Sequence, residues 1–205
     1  MIHPGPENTQ GPSLSFVLLG AGGRMTRTVS RALIAGGAHP LAAVQEGGPT
    51  RPLGSLPGTA LECRNDWLSS LPDGITRRHA DSISDLAGFL RALRPDLLLV
   101  ACWSRRLPQS VLDAARIAAI NLHPSLLPEW PGFDPVGDQL RAGVRDFGVT
   151  LHRMTESIDR GPVVSRQGFT FERPDALTVE TAAARLGAAL FIDLLSRPEA
   201  FNLRS

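Results

Sequence analysis

The 205-residue chain contains no tyrosine, and aromatic residues make up only 5% of it. That leaves little with which to stack successive nucleobases along a strand. Its two cysteines, Cys63 and Cys102, are too few for a disulfide framework. They also lack the paired spacing of a metal site, so no metal is expected and both read as reduced thiols. Neither sign of charge dominates. Twenty-one basic and 20 acidic residues give a formal charge of +1, so no broad field draws the chain to a polyanion. No apolar run is long enough to span a membrane, and no signal-peptide pattern opens the sequence. These absences predict a cytoplasmic protein with no membrane partner.

Present instead is the material for one core. Hydrophobic residues are 42% of the chain, while 20 glycines and 17 prolines fall short of a low-complexity composition. A chain this long buries about 70% of its unfolded surface. Residues 1–12 are polar and rich in Gly and Pro, which predicts a mobile tail, and 13–205 read as a single catalytic domain. Strands are expected at 14–20, 40–44, 75–80, 96–102, 117–123, 147–154 and 163–171, with residues 45–57 as loop. Helices are expected at 24–35, 82–93, 108–115, 134–141 and 178–195. Ser82 with Asp85 resembles a capping box, and Asp134 with Pro135 forms an N-cap and N1 pair. Alternating strands and helices predict an α/β, Rossmann-like fold. Its sheet is mainly parallel with helices on both faces and antiparallel strands near the C-terminal part.

The first strand turns into a helix through Gly20-Ala21-Gly22-Gly23-Arg24-Met25. A G-x-G pair followed by a helix suits phosphate, and Glu46 stands where a ribose-binding acid would sit. The dinucleotide fingerprint, however, needs glycine where Met25 stands, so a dinucleotide-binding module is the weaker reading.

The most specific segment is Asn121-Leu122-His123-Pro124-Ser125-Leu126-Leu127-Pro128, with Asp159 later heading an Asp-Arg-Gly-Pro turn. Side chains two apart on a strand share a face, so Asn121 and His123 point the same way. Pro124 ends the strand there. An amide, an imidazole and a carboxylate suit the transfer of an acyl group to an amine. The amide N–H stabilises a developing oxyanion, the imidazolium protonates a leaving nitrogen, and the carboxylate raises the imidazole pKa and accepts the amine's proton.

On these residues, positions 97–167 resemble the core of the folate-dependent formyltransferases. The resemblance implies catalysis by Asn121, His123 and Asp159, with 10-formyltetrahydrofolate as formyl donor. It implies a pterin pocket lined by Val100, Trp103, Arg105, Arg106 and Leu107 and closed by Met154, Thr155 and Glu156. It implies an acceptor held by Gly22, Gly23, Arg24 and Ser125. The chain departs from the family where Arg24-Met25 replaces a usual Ser-Asn pair, where Trp103 replaces a smaller aromatic, and where Arg106 replaces an aliphatic residue. Trp130 and Phe133 are expected as packing residues and His152 as a hydrogen-bonded core histidine. The family's tRNA-directed members resemble the chain through Ala184 to Leu190 and carry a further C-terminal domain. With near-zero charge, the expected acceptor is therefore a small amine and not tRNA: an amino sugar, a glycinamide-type nucleotide, an amino acid or a carrier-bound aminoacyl group. The competing reading is a catalytically silent folate- or dinucleotide-binding module.

Overall fold

Short runs rich in Leu, Val and Ala form the centre of the sheet because burying their apolar side chains is favourable. In the computed structural model, which describes residues 14–47 and 67–201, β1 (Phe16–Gly20), β2 (Ala42–Glu46) and β4 (Leu97–Val100) are buried at every position. Continuous burial is what strands covered on both faces require. Around them lie β3 (Thr76–Ala80), β5 (Ala118–His123), β6 (Asp146–Arg153) and β7 (Val163–Thr170). The sheet order is β3-β2-β1-β4-β5-β6-β7. Pairings from β3 through β5 are parallel, whereas β6 runs antiparallel to β5 and β7 to β6. The order reverses between β1 and β4, so the crevice at their C-terminal ends is where such a sheet offers a ligand site.

Helices α1 (Gly23–Ala35), α2 (Ile83–Leu93), α3 (Gln109–Leu112), α4 (Pro135–Arg141) and α5 (Ala176–Leu195) complete the fold. One sheet face, through Phe16, Leu18, Leu99 and Ile120, packs on Val29 and Leu33 of α1 and on Ala184 and Phe191 of α5. The Phe16 and Phe191 rings meet edge to face at 5.1 Å. The opposite face, through Val17, Leu19, Val100 and Ala119, packs on Leu86 and Leu90 of α2 and Val111 of α3. Positions 119, 121 and 123 share this second face by strand alternation. The expected α/β architecture is the one observed. Among the described residues no helix is long and apolar enough to cross a membrane.

Several boundaries differ for local reasons. The strand expected through Cys102 stops at Val100, and Cys102 takes a left-handed conformation (φ 59°) as the chain turns away. The helix expected over 108–115 is a single turn. Gln45 and Glu46, expected in a loop, extend β2. Ser82 Oγ accepts the Asp85 N–H at 3.1 Å, but the Asp85 carboxylate turns to Arg78, so only half a capping box forms. A complete one starts α5, where Asp175 and Thr178 satisfy each other's backbone N–H groups. The expected tail, Cys63 and most of the expected loop at 45–57 lie outside the described residues.

Candidate active site

Strand β5 carries Asn121 and His123 to its C-terminal end, and Pro124 releases the chain into a loop. Thr150 on β6 fixes that loop: its hydroxyl donates to the Ser125 carbonyl at 2.6 Å and accepts the Leu127 N–H at 3.1 Å. The β5–β6 register places His152 directly opposite Asn121. After β6 the chain loops out and returns Asp159 in a left-handed conformation (φ 52°). Gly161 makes this return possible. A Cβ there would lie 1.7 Å from the Arg153 carbonyl oxygen, which belongs to the backbone of β6. Gly161→Ala is therefore expected to cost about 1–3 kcal/mol of stability, by denaturant titration, as the turn moves aside.

Four side chains converge. The Asn121 amide nitrogen is 3.1 Å from His152 Nε2 and 3.4 Å from Asp159 Oδ1. Asp159 Oδ1 is 3.6 Å from His123 Nδ1 and 3.5 Å from His152 Nε2. Its other oxygen accepts the Gly132 N–H at 2.8 Å. The expected trio thus meets at one place, and a second imidazole joins it. His152 is 2% exposed, the hydrogen-bonded core histidine expected, and its Nε2 also meets both the amide and the carboxylate. Only the β5–β6 register reveals it.

Hydrogen-bond chemistry assigns the protons. His123 Nε2 lies 2.9 Å from the Trp130 carbonyl, which only accepts, so Nε2 carries a hydrogen and Nδ1 faces Asp159. His152 Nδ1 likewise meets the Arg153 carbonyl at 3.0 Å, leaving Nε2 to accept from Asn121. Burial pushes the His123 pKa below its ordinary value and outweighs the upward pull of Asp159 and the Trp130 carbonyl. The ring therefore rests mainly neutral near pH 7, because desolvation penalises the charged form more than one carboxylate favours it. For Asp159 burial pushes upward, yet its polar surroundings, the donating Gly132 N–H among them, hold the carboxyl below its usual range.

The cluster opens onto a cleft enclosing about 910 Å³, part of it open solvent. Val100, Trp103, Arg105, Arg106, Leu107, Met154, Thr155 and Glu156 all line it, as do Asn121, His123 and Asp159. The wall is largely apolar, and the buried Trp103 Nε1 has no acceptor among the described residues. An apolar slot with an orphaned donor fits a flat heterocycle bearing acceptor atoms. Glu46 anchors this wall. Its carboxylate accepts the Ser104 N–H and hydroxyl, each at 2.8 Å, and Arg105 Nε at 2.6 Å. It is thereby committed to protein partners and not presented to a ribose. Arg105 also donates to the Ala80 carbonyl at 3.1 Å, whereas Arg106 reaches across the mouth to the Glu156 carbonyl at 2.6 Å.

The residues expected to hold the acceptor fare less uniformly. Gly22 and Gly23 have φ of 100° and 76°, which favour glycine, and the loop is tied to the cleft-lining segment by the Ala21 N–H donating to the Cys102 carbonyl. Arg24 is ion-paired with Glu180 of α5 at 3.1 Å. Ser125 is fully buried, and its hydroxyl donates to the Glu129 carbonyl at 2.7 Å. It shapes the loop and does not line the cleft, so its expected place beside the acceptor is corrected. Phe133, expected in packing, is instead 62% exposed at the cleft rim.

Comparison with known proteins fits this arrangement. A family model described as formyl transferase matches residues 60–191. The methionyl-tRNA formyltransferase of Novosphingobium aromaticivorans is 35% identical over 167 residues, 80% of this chain and 54% of that protein. The one from Anaeromyxobacter dehalogenans is 36% identical over 142 residues, 68% of this chain and 44% of that protein. The chain thus spans only about half the length of such curated relatives. Among solved structures, glycinamide ribonucleotide transformylase 1 from Symbiobacterium toebii superposes with a TM-score of 0.67 at 20% identity, over 91% of this chain and 87% of that one. At that identity the likeness shows the fold alone. The expectation that tRNA is excluded as a partner is overturned, because the curated relatives are methionyl-tRNA formyltransferases. Neither a small net charge nor the place where the sequence stops argues against them.

Proposed function

The chain belongs to the formyl transferase family, and from that premise we propose that it moves a formyl group from 10-formyltetrahydrofolate to a primary amine. The observation that carries this reading is the meeting of Asn121, His123, His152 and Asp159 at the end of an apolar cleft. When bound, the donor would supply an electrophilic formyl carbon. Val100, Trp103, Leu107 and Met154 would hold its ring, with Arg106 at the mouth. Residues 13–205 would act as one catalytic domain.

The protein's own groups divide the work. Asn121 holds His152 with its shorter contact, and the 3.4 Å contact to Asp159 is the weaker of the two. That N–H turns to the oxygen on which negative charge develops, a role worth about 10²–10³ in rate for such a donor. Asp159 takes the proton of the attacking amine. Asp159 passes that proton to the bare Nδ1 of His123, 3.6 Å away, which delivers it to the leaving nitrogen. Burial keeps the ring neutral until then, and Asp159 stabilises the charge once it forms.

The relatives leave the amine open: methionyl-tRNA belongs among the acceptors to be tried, beside amino sugars, glycinamide ribonucleotide and amino acid esters. The test is release of tetrahydrofolate from 10-formyltetrahydrofolate over that panel, with calorimetric titration of a folate analogue and of NAD. Amine-dependent release with folate binding is expected. Folate binding without release over the whole panel would identify a silent binder, and heat from NAD alone would identify a dinucleotide module.

A further inference from the structure

Three of the four clustered side chains act on the reacting groups in formyl transfer. His152, buried on β6, is the fourth, and no step passes through it. A buried imidazole with both nitrogens engaged is suited to holding a neighbour in place. Its Nδ1 lies 3.0 Å from the Arg153 carbonyl, which only accepts, so the hydrogen sits on Nδ1 and Nε2 keeps its lone pair. Nε2 is 3.1 Å from the Asn121 amide nitrogen, and Asp159 Oδ1, a second acceptor, is 3.4 Å from the same atom. Two acceptors at one end of an amide admit only its nitrogen there. The orientation of Asn121 therefore follows from its neighbours.

An amide nitrogen carries two hydrogens in a fixed plane. His152 Nε2 takes one of them at the shorter distance. The other is held only by the longer contact to Asp159, and it is the one free to meet an oxygen entering from the cleft. Without the acceptor on β6, that longer contact alone would orient the amide. The group could then rotate and turn its own oxygen toward a developing negative charge. A donor stabilises an oxyanion best when it needs no reorganisation as the charge forms. The β5–β6 register, which sets His152 opposite Asn121, supplies the anchor from a strand, a firmer support than a loop. We infer that His152 is a positioning residue that fixes the Asn121 amide so that one N–H stands ready for the oxyanion. This inference rests on the formyl-transfer reading and adds to it a residue that works only through Asn121.

The test measures kcat and donor KM of the full chain with the amine that wild type uses best. The side chain of His152→Gln reaches the place of Nε2 and sets a carbonyl oxygen against Asn121. That of His152→Asn is shorter, reaches only the place of Nδ1 and leaves Asn121 without its acceptor. His152→Leu is a second variant lacking an acceptor, so failure of either one to fold leaves the comparison intact. His152→Asn and His152→Leu are expected to lower kcat by about 10²–10³-fold, the loss that follows removal of an oxyanion donor. His152→Gln is expected to lose no more than about tenfold, and donor KM to hold in all three. Asn121→Ala should lose about as much as His152→Asn, and the double variant no more than Asn121→Ala alone, because the pair acts as one unit. Nitrogen NMR of the wild-type ring, which needs no turnover, should find the hydrogen on His152 Nδ1. Equal kcat in the Gln, Asn and Leu variants, multiplied losses in the double variant, a raised donor KM in place of a lowered kcat, or a hydrogen on Nε2 overturns the inference while leaving formyl transfer standing. No turnover by wild type with any acceptor overturns formyl transfer and this inference together.

Discussion

His123→Ala is expected to lower kcat by about 10²–10⁴-fold, the usual contribution of a positioned acid–base group. The ring is 3% exposed, with Nε2 bonded to the Trp130 carbonyl and Nδ1 3.6 Å from Asp159. Removing it leaves that carbonyl only the longer contact from the Ser125 hydroxyl at 3.3 Å, at a cost of about 1–3 kcal/mol. The fold should survive, because the sheet core lies elsewhere in Leu18, Leu99, Ile120 and their partners. Donor KM is expected to hold, since the apolar wall at Trp103 and Leu107 is untouched. Saturating kinetics beside a melting curve separate the two effects. Wild-type turnover in a folded His123→Ala protein would falsify the proton-transfer role.

Asp159→Asn keeps the shape and removes the charge. Its oxygen still meets the Gly132 N–H, so the turn should hold. Loss of the base is expected to cost about 10²–10⁴-fold in kcat. The pH profile provides a second readout. Burial lowers the His123 pKa and Asp159 raises it, so neutralising residue 159 lets the pKa fall further. A ring that must rest neutral to relay a proton is available only above its own pKa. The ascending limb of kcat/KM should therefore move to lower pH in the variant.

Stability responds in the same system. The Asp159 pKa is held below its ordinary value, so its contribution is present above the unfolded carboxyl pKa and lost as pH falls through the folded one. That acid-side loss should shrink in Asp159→Asn. An unchanged pH–rate profile together with unchanged acid unfolding would show that residue 159 is not coupled to His123.

Two features of the site are set by neighbouring residues alone. Asn121 and His123 are two apart on a strand closed by a proline, which fixes their shared direction without knowledge of any other strand. Asp134 and Pro135 begin α4 as local chemistry requires, with Asp134 accepting the Gly137 N–H. His152 was harder. Its place depends on a cross-strand register with β5 that no local pattern states. Glu46 was harder still, since it acts only where the ends of β2, β3 and the loop after β4 meet. Exposure of Phe133 and burial of Ser125 reversed their expected roles, because a loop's outward and inward residues are set by what it packs against.

The sequence alone determined the alternating α/β order, the end of β5 and the three polar residues suited to acyl transfer. Periodicity, capping and proline act over a few neighbouring residues, and a chain displays them directly. Only the tertiary structure decided that His123 rests neutral, that His152 joins the cluster and that Phe133 and Ile158 stand exposed at the cleft. Desolvation, register and exposure are properties of what surrounds a group in space, and folding brings those surroundings from distant parts of the chain.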